Sequence, residues 1–122
     1  MKPALLAACL ALPSAALADP ARVVAVDAVE ATGATWTFHV TLEHGDTGWA
    51  DYADGWRVET PDGTVLGDRP LLHPHVDEQP FTRSLSGVAI PAEVTAVVIR
   101  ARTSPEGWAD ATSDPVPLRR SD

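Results

Sequence analysis

An all-β sandwich of about seven antiparallel strands, following a cleavable signal peptide, is the fold the sequence predicts. Three observations carry this. Apolar and polar residues alternate with a period of two in several short runs, clusters of Gly, Pro and Asp separate those runs at about ten-residue spacing, and no stretch sustains the apolar period of an amphipathic helix.

The leader comes first. Met1, Lys2 and Pro3 precede a nearly unbroken apolar run from Ala4 to Leu17, which closes on Ala16-Leu17-Ala18 before Asp19-Pro20. One positive charge, an apolar segment too short to span a bilayer comfortably and small residues at the cleavage-determining positions are the features the export machinery reads, so cleavage is expected after Ala18. Leu6-Ala7-Ala8-Cys9 is a rival lipobox in which Cys9 would be lipidated; it leaves an apolar core shorter than about seven residues and strands a second run behind it. Residues 1–18 are therefore read as signal peptide and residues 19–122 as one domain, large enough for a single core and too small for two. A periplasmic or secreted location follows.

Cleavage removes Cys9 and Met1, the only residues of their types, so no disulfide can form despite an oxidising destination. It also removes Lys2 from the 9 basic residues, leaving 8 Arg against 17 Asp and Glu, a formal charge of −9. Such a field repels a polyanion, and no basic stripe is interleaved with aromatics, which argues against nucleic acid as a partner. No segment after the leader has the apolar length of a membrane span.

The strands follow in order. Arg22 to Glu30 is rich in Val, and Thr32-Gly33 breaks it from Thr35 to Leu42, where Trp36, Phe38, Val40 and Leu42 share one face and Thr35, Thr37, His39 and Thr41 the other; the two runs predict a hairpin. Trp56 to Thr60 alternates again, Pro61-Asp62-Gly63 supplies a turn because Pro fixes φ and Gly accepts positive φ, and Thr64 to Leu66 returns from it. Phe81 to Ile90 reads as a strand with a bulge or kink at Gly87, Val94 to Thr103 as a long strand, and Ala111 to Leu118 as a final edge strand, since Pro115 and Pro117 each remove a ladder donor. This count points to a Greek-key sandwich of the immunoglobulin or fibronectin type III kind. Locally the chain resembles fibronectin type III domains in Trp36 on the second strand, in Trp56-Arg57-Val58 leading to Pro-Asp-Gly, and in Val98 to Arg102 before the loop at Gly107.

Two loops concentrate reactive side chains: His44 to Gly55, containing Asp46-Thr47-Gly48-Trp49-Ala50-Asp51-Tyr52-Ala53-Asp54, and Leu71 to Pro80, containing Leu71-Leu72-His73-Pro74-His75 and running into Phe81-Thr82-Arg83. Together with Pro61 to Gly67, they resemble a family of small exported bacterial proteins that read DTGW-x-x-YAD, PDG-x-VLG and LLHPH-x-x-EQPFTRSL. That resemblance implies export and no particular activity.

From the residues themselves, three chemistries compete. In an extended backbone, His73 and His75 emerge on one side with Cα atoms about 6–7 Å apart, and His44, Asp46, Asp77 or Glu78 would complete a site for Zn(II) or Cu(II). Alternatively the Asp, Thr and His side chains brace the loops of a sandwich that lacks a disulfide, with Asp46 capping a turn and Arg83 pairing with Glu78 or Asp77. Third, Asp46-Thr47-Gly48 is the tripeptide of aspartic proteases, but His44-Gly45 stand directly before it where those enzymes have an apolar strand, Trp49 follows it, and the second apolar-apolar-Gly element is absent. Gly-x-Ser-x-Gly, a phosphate-binding Gly-rich loop and a catalytic Cys are also absent, so an exported, non-enzymatic binding or accessory domain is expected. Its partner is expected to be a metal ion at His73, His75, His44 and Asp46, or a protein at an aromatic patch of Trp49, Tyr52 and Trp108, with both loops converging at one end of the sandwich.

Overall fold

In the computed structural model, which describes residues 19–121, Trp36, Phe38, Val40 and Leu42 all point inward and are at most 1% exposed. The alternation of their strand therefore sets one wall of the core. The expected signal peptide lies outside the described residues.

The elements are β1 (Arg22–Glu30), β2 (Thr35–Glu43), β3 (Ala53–Glu59), β4 (Val65–Pro70), β5 (Phe81–Ala89), β6 (Ala96–Thr103), β7 (Gly107–Trp108) and β8 (Val116–Pro117). They form two antiparallel sheets. One has the order β1-β2-β5 and the other β4-β3-β6-β7, with β8 also paired to β6. Trp36, Phe38, Val40 and Leu42 of the first sheet meet Trp56, Val58, Val97, Ile99 and Ala101 of the second, and Phe81, Val88 and Ile90 complete the layer. Each large side chain so buried contributes roughly 1.5–3 kcal/mol.

The solvent face of the first sheet is a polar ladder. His39 Nδ1 lies 2.6 Å from Ser84 Oγ, the Thr41 and Thr82 hydroxyls are 2.7 Å apart, and Thr37 Oγ1 donates to Ser86 Oγ at 3.3 Å. The β1–β2 and β3–β4 hairpins fall where their turn residues predict. Gly33 and Gly63 have φ of 72° and 96°, and Ala34 shares the left-handed region at 61°.

The end of the chain departs from the sequence reading. Ala111 to Leu118 does not form one edge strand; β6 is paired instead by two two-residue pieces, β7 and β8. Between them the chain leaves the ladder and is held by single contacts. Ala109 N donates to Ala101 O, Ser113 N to Ile99 O, Ile99 N to Ser113 Oγ, and the Arg100 guanidinium bonds the carbonyls of Ala109 and Asp110. A long side chain on the paired strand thus props the segment outward.

Candidate functional site

Because β2 runs into β3 and β4 into β5 at the same end of the sandwich, the two reactive loops meet there. The joint is a buried polar network. Asp46, 5% exposed, uses both carboxylate oxygens: Oδ1 accepts from His44 Nδ1 at 2.6 Å and from Ala53 N at 3.0 Å, and Oδ2 accepts from His75 N at 2.8 Å. Gln79 closes the circuit, its Oε1 accepting from His44 N and its Nε2 donating to His75 O, each at 2.9 Å. Leu71 N adds a bond to Asp54 O at 3.0 Å.

His75 is buried against Phe81, with ring centroids 4.0 Å apart and planes 13° from parallel, and the His73 ring lies 4.6 Å away on centroids. Its Nε2 is 2.8 Å from Arg83 Nη2. A guanidinium only donates, so Nε2 accepts and the single ring proton sits on Nδ1, which is buried with no partner among the described residues. Burial, then the Arg83 charge, then His73 push the His75 pKa below its ordinary value, against smaller opposing effects of Asp46 and Glu78.

This geometry does not assemble the four residues of the expected metal site. A ligating imidazole must present a lone pair, and the one on His75 is taken by Arg83. Both Asp46 oxygens are occupied by intramolecular donors, and His44 Nε2 faces Asp51 Oδ1 at 3.6 Å rather than either histidine of the other loop. Exposed His73 turns Nδ1 to Pro74 O at 3.2 Å. Among the described residues, no group of three or more His, Asp or Glu side chains is placed to hold a metal ion. Sequence spacing correctly brought the two rings together; it carried no sign of Arg83, eight residues on, or of Gln79.

The depressed His75 pKa has a pH signature. In the unfolded chain the ring titrates near 6.5, and in the fold it resists protonation to lower pH, so the unfolded state binds more protons between those values. The contribution of His75 to stability is complete above about pH 6.5 and falls as pH drops below it. The melting midpoint is expected to decrease between pH 7.5 and pH 5.5, and a His75→Gln variant to lose that limb; equal slopes in the two proteins would contradict the assignment.

On the outside of the joint the loops present apolar side chains. Trp49 is 68% exposed, with Tyr52 edge-on at a centroid distance of 5.6 Å, and Leu72 and Val76 are 76% and 51% exposed on the facing loop. Leu72 and Val76 were missed by sequence reasoning, although the pair Leu71-Leu72 held the signal: on an extended segment only one of two neighbours faces inward, and here Leu71 is the buried one. Trp108 does not join this patch. It lies half-buried on the outer face of the β3–β6 sheet, 4.0 Å beneath the Arg57 guanidinium and 5.6 Å from that of Arg102, because it pairs with Arg102 in register.

A protein of Halomicrobium mukohataei carrying the name "Putative lipoprotein" is 44% identical to this chain over 88 residues, a span that covers 72% of the chain and 43% of that protein. The chain thus corresponds to less than half the length of this relative. No protein-family model and no solved structure matches it.

Proposed function

We propose that this is an exported accessory domain that works by binding a protein partner through its loop end, with no catalysis of its own. The carrying observation is the pairing of rigidity with exposure: two loops fixed by a buried hydrogen-bond network hold Trp49, Leu72 and Val76 out in solvent. Apolar side chains presented on a preorganised backbone lose little entropy on binding, and Trp is the residue type that most often anchors an interface. Export is supported by the leader sequence and by the name of the relative; a fibronectin type III-like arrangement is supported by the strand orders β1-β2-β5 and β4-β3-β6-β7. A metal-handling role gains no support, for the reasons of geometry above.

The test is photocrosslinking in the producing cell, with a photoreactive residue at position 72 or, as control, at position 62 in the turn at the opposite end. A discrete partner is expected from position 72 only, and Trp49→Ala is expected to abolish it while changing stability by no more than about 0.5 kcal/mol. Equal crosslinking from both positions, or an adduct indifferent to Trp49→Ala, would reject the surface.

A further inference from the structure

The two sides of the sandwich are closed differently. Where β4 faces β5 the sheets are stitched: Arg69 Nε donates to Ser84 O at 2.8 Å, and Gly67 allows an approach in which a Cβ would stand 3.0 Å from Leu85 Cδ2 and 3.2 Å from Val88 Cγ2. On the other side β1 pairs only with β2, and among the described residues no backbone hydrogen bond runs along its outer edge; Ser121 N and Oγ reach only the side chain of Glu30 at its last position, each at 2.8 Å. Facing it, the last strand is broken into β7 and β8, and a groove of about 930 Å³ opens between the start of β1 and residues 106–114.

β1 is poorly guarded for an edge strand. Arg22-Val-Val-Ala-Val-Asp-Ala-Val-Glu30 contains no Pro and no Lys, and Val24 and Val29 are 42% and 44% exposed; only Asp27 and the bulge between Val23 and Ala25 interrupt it. The groove is acidic. Its one arginine, Arg22, is paired with Glu43 at 2.7 Å, while Asp19, Glu106, Asp110 and Asp114 make no ion pair among the described residues.

We infer that β1 and this groove receive an extended, basic segment of another protein, added as a further strand along β1 with Lys or Arg side chains reaching Asp110 and Asp114. Main-chain hydrogen bonds to the open edge supply affinity, and the carboxylates select the charge of the segment. A second copy of this chain fits less well: its β1 brings one Arg against two acidic residues, and each copy carries a formal charge of −8 before the leader is removed. The inference stands apart from the loop-end reading, since Trp49, Leu72 and Val76 take no part.

The test uses the protein isolated from the exported fraction and a fluorescein-labelled, end-blocked peptide of sequence Val-Lys-Val-Lys-Val-Lys-Val. Anisotropy is expected to report saturable binding that weakens with salt, and amide exchange to slow across Val23–Val29. The same peptide N-methylated at every residue, and the Val-Glu counterpart, are expected not to bind. Asp110→Asn with Asp114→Asn is expected to weaken binding about fivefold to tenfold, two rim pairs at about 0.5–0.7 kcal/mol each, whereas Trp49→Ala leaves it unchanged. Binding that survives N-methylation, protection that falls outside β1, no binding at millimolar peptide, or a dimer protected at β1 without peptide would each overturn the inference.

Discussion

Replacing Asp46 by Ala is expected to destabilise the domain by about 3–5 kcal/mol, a large share of the roughly 5–15 kcal/mol by which a domain of this size is stable. One carboxylate accepts three buried hydrogen bonds, so the truncation leaves Ala53 N, His75 N and the His44 ring nitrogen without an acceptor in a region closed to solvent. Asp46→Asn is the sharper test. Its amide oxygen can replace Oδ1, but its –NH2 then meets the N–H of His75, donor against donor, and a loss close to that of Ala is expected despite the matching shape. Urea unfolding followed by tryptophan fluorescence measures both, with the midpoint moving and the slope unchanged. A loss under about 1 kcal/mol for both variants would mean that the network does not hold the loops.

The network has a wider role because residues 19–122 contain no cysteine. In a sandwich whose long connections cannot be pinned by a disulfide, Asp46 and Gln79 tie the β2–β3 loop to the β4–β5 loop across gaps of 29 and 35 residues in sequence. Loss of Asp46 is therefore also expected to loosen the presentation of Trp49 and Leu72.

How far the sequence discloses this depends on what kind of information each feature needs. β2 was legible because its alternation is local, and the β3–β4 turn because Pro61-Asp62-Gly63 states its dihedral preferences in three residues. The last strand departs from its reading because Pro115 and Pro117 suit an edge strand locally, while the course of the segment depends on Arg100, a residue of β6, reaching the carbonyls of Ala109 and Asp110. Convergence of the two loops could be anticipated from the sandwich, and so could the nearness of His73 and His75. Their chemistry could not: backbone N–H groups carry no sequence signature, so the partners of Asp46 were invisible, and spacing does not reveal that Arg83 claims His75 Nε2.

Glu59 was read the same way, as one polar residue of an alternating strand, yet it is only 1% exposed. Its Oε2 accepts from Arg57 Nε at 2.6 Å and Arg100 Nε at 2.8 Å, two guanidiniums that cover it on the outer face of the sheet. Burial by itself pushes the carboxyl pKa up; the hydrogen bonds and charges of Arg100 and Arg57 more than offset this and hold it below its ordinary value. The stability it contributes is therefore present above the unfolded pKa near 4.5 and is lost as pH falls through the lower folded value. Glu59→Gln, which keeps the shape and leaves two guanidiniums facing each other without a counter-charge, is expected to cost about 2–3 kcal/mol at pH 7. The gap between wild type and variant should close as pH drops below the folded pKa, where the native glutamate is itself neutral. Arg57 also lies over Trp108, so the same substitution is expected to change the emission of that tryptophan and to slacken β7, which walls the groove beside β1. If stability falls while binding of the Val-Lys peptide is untouched, the Arg57–Trp108 stack is structural cover alone; if both fall together, the ion cluster sets the shape of the groove as well as the strength of the sheet.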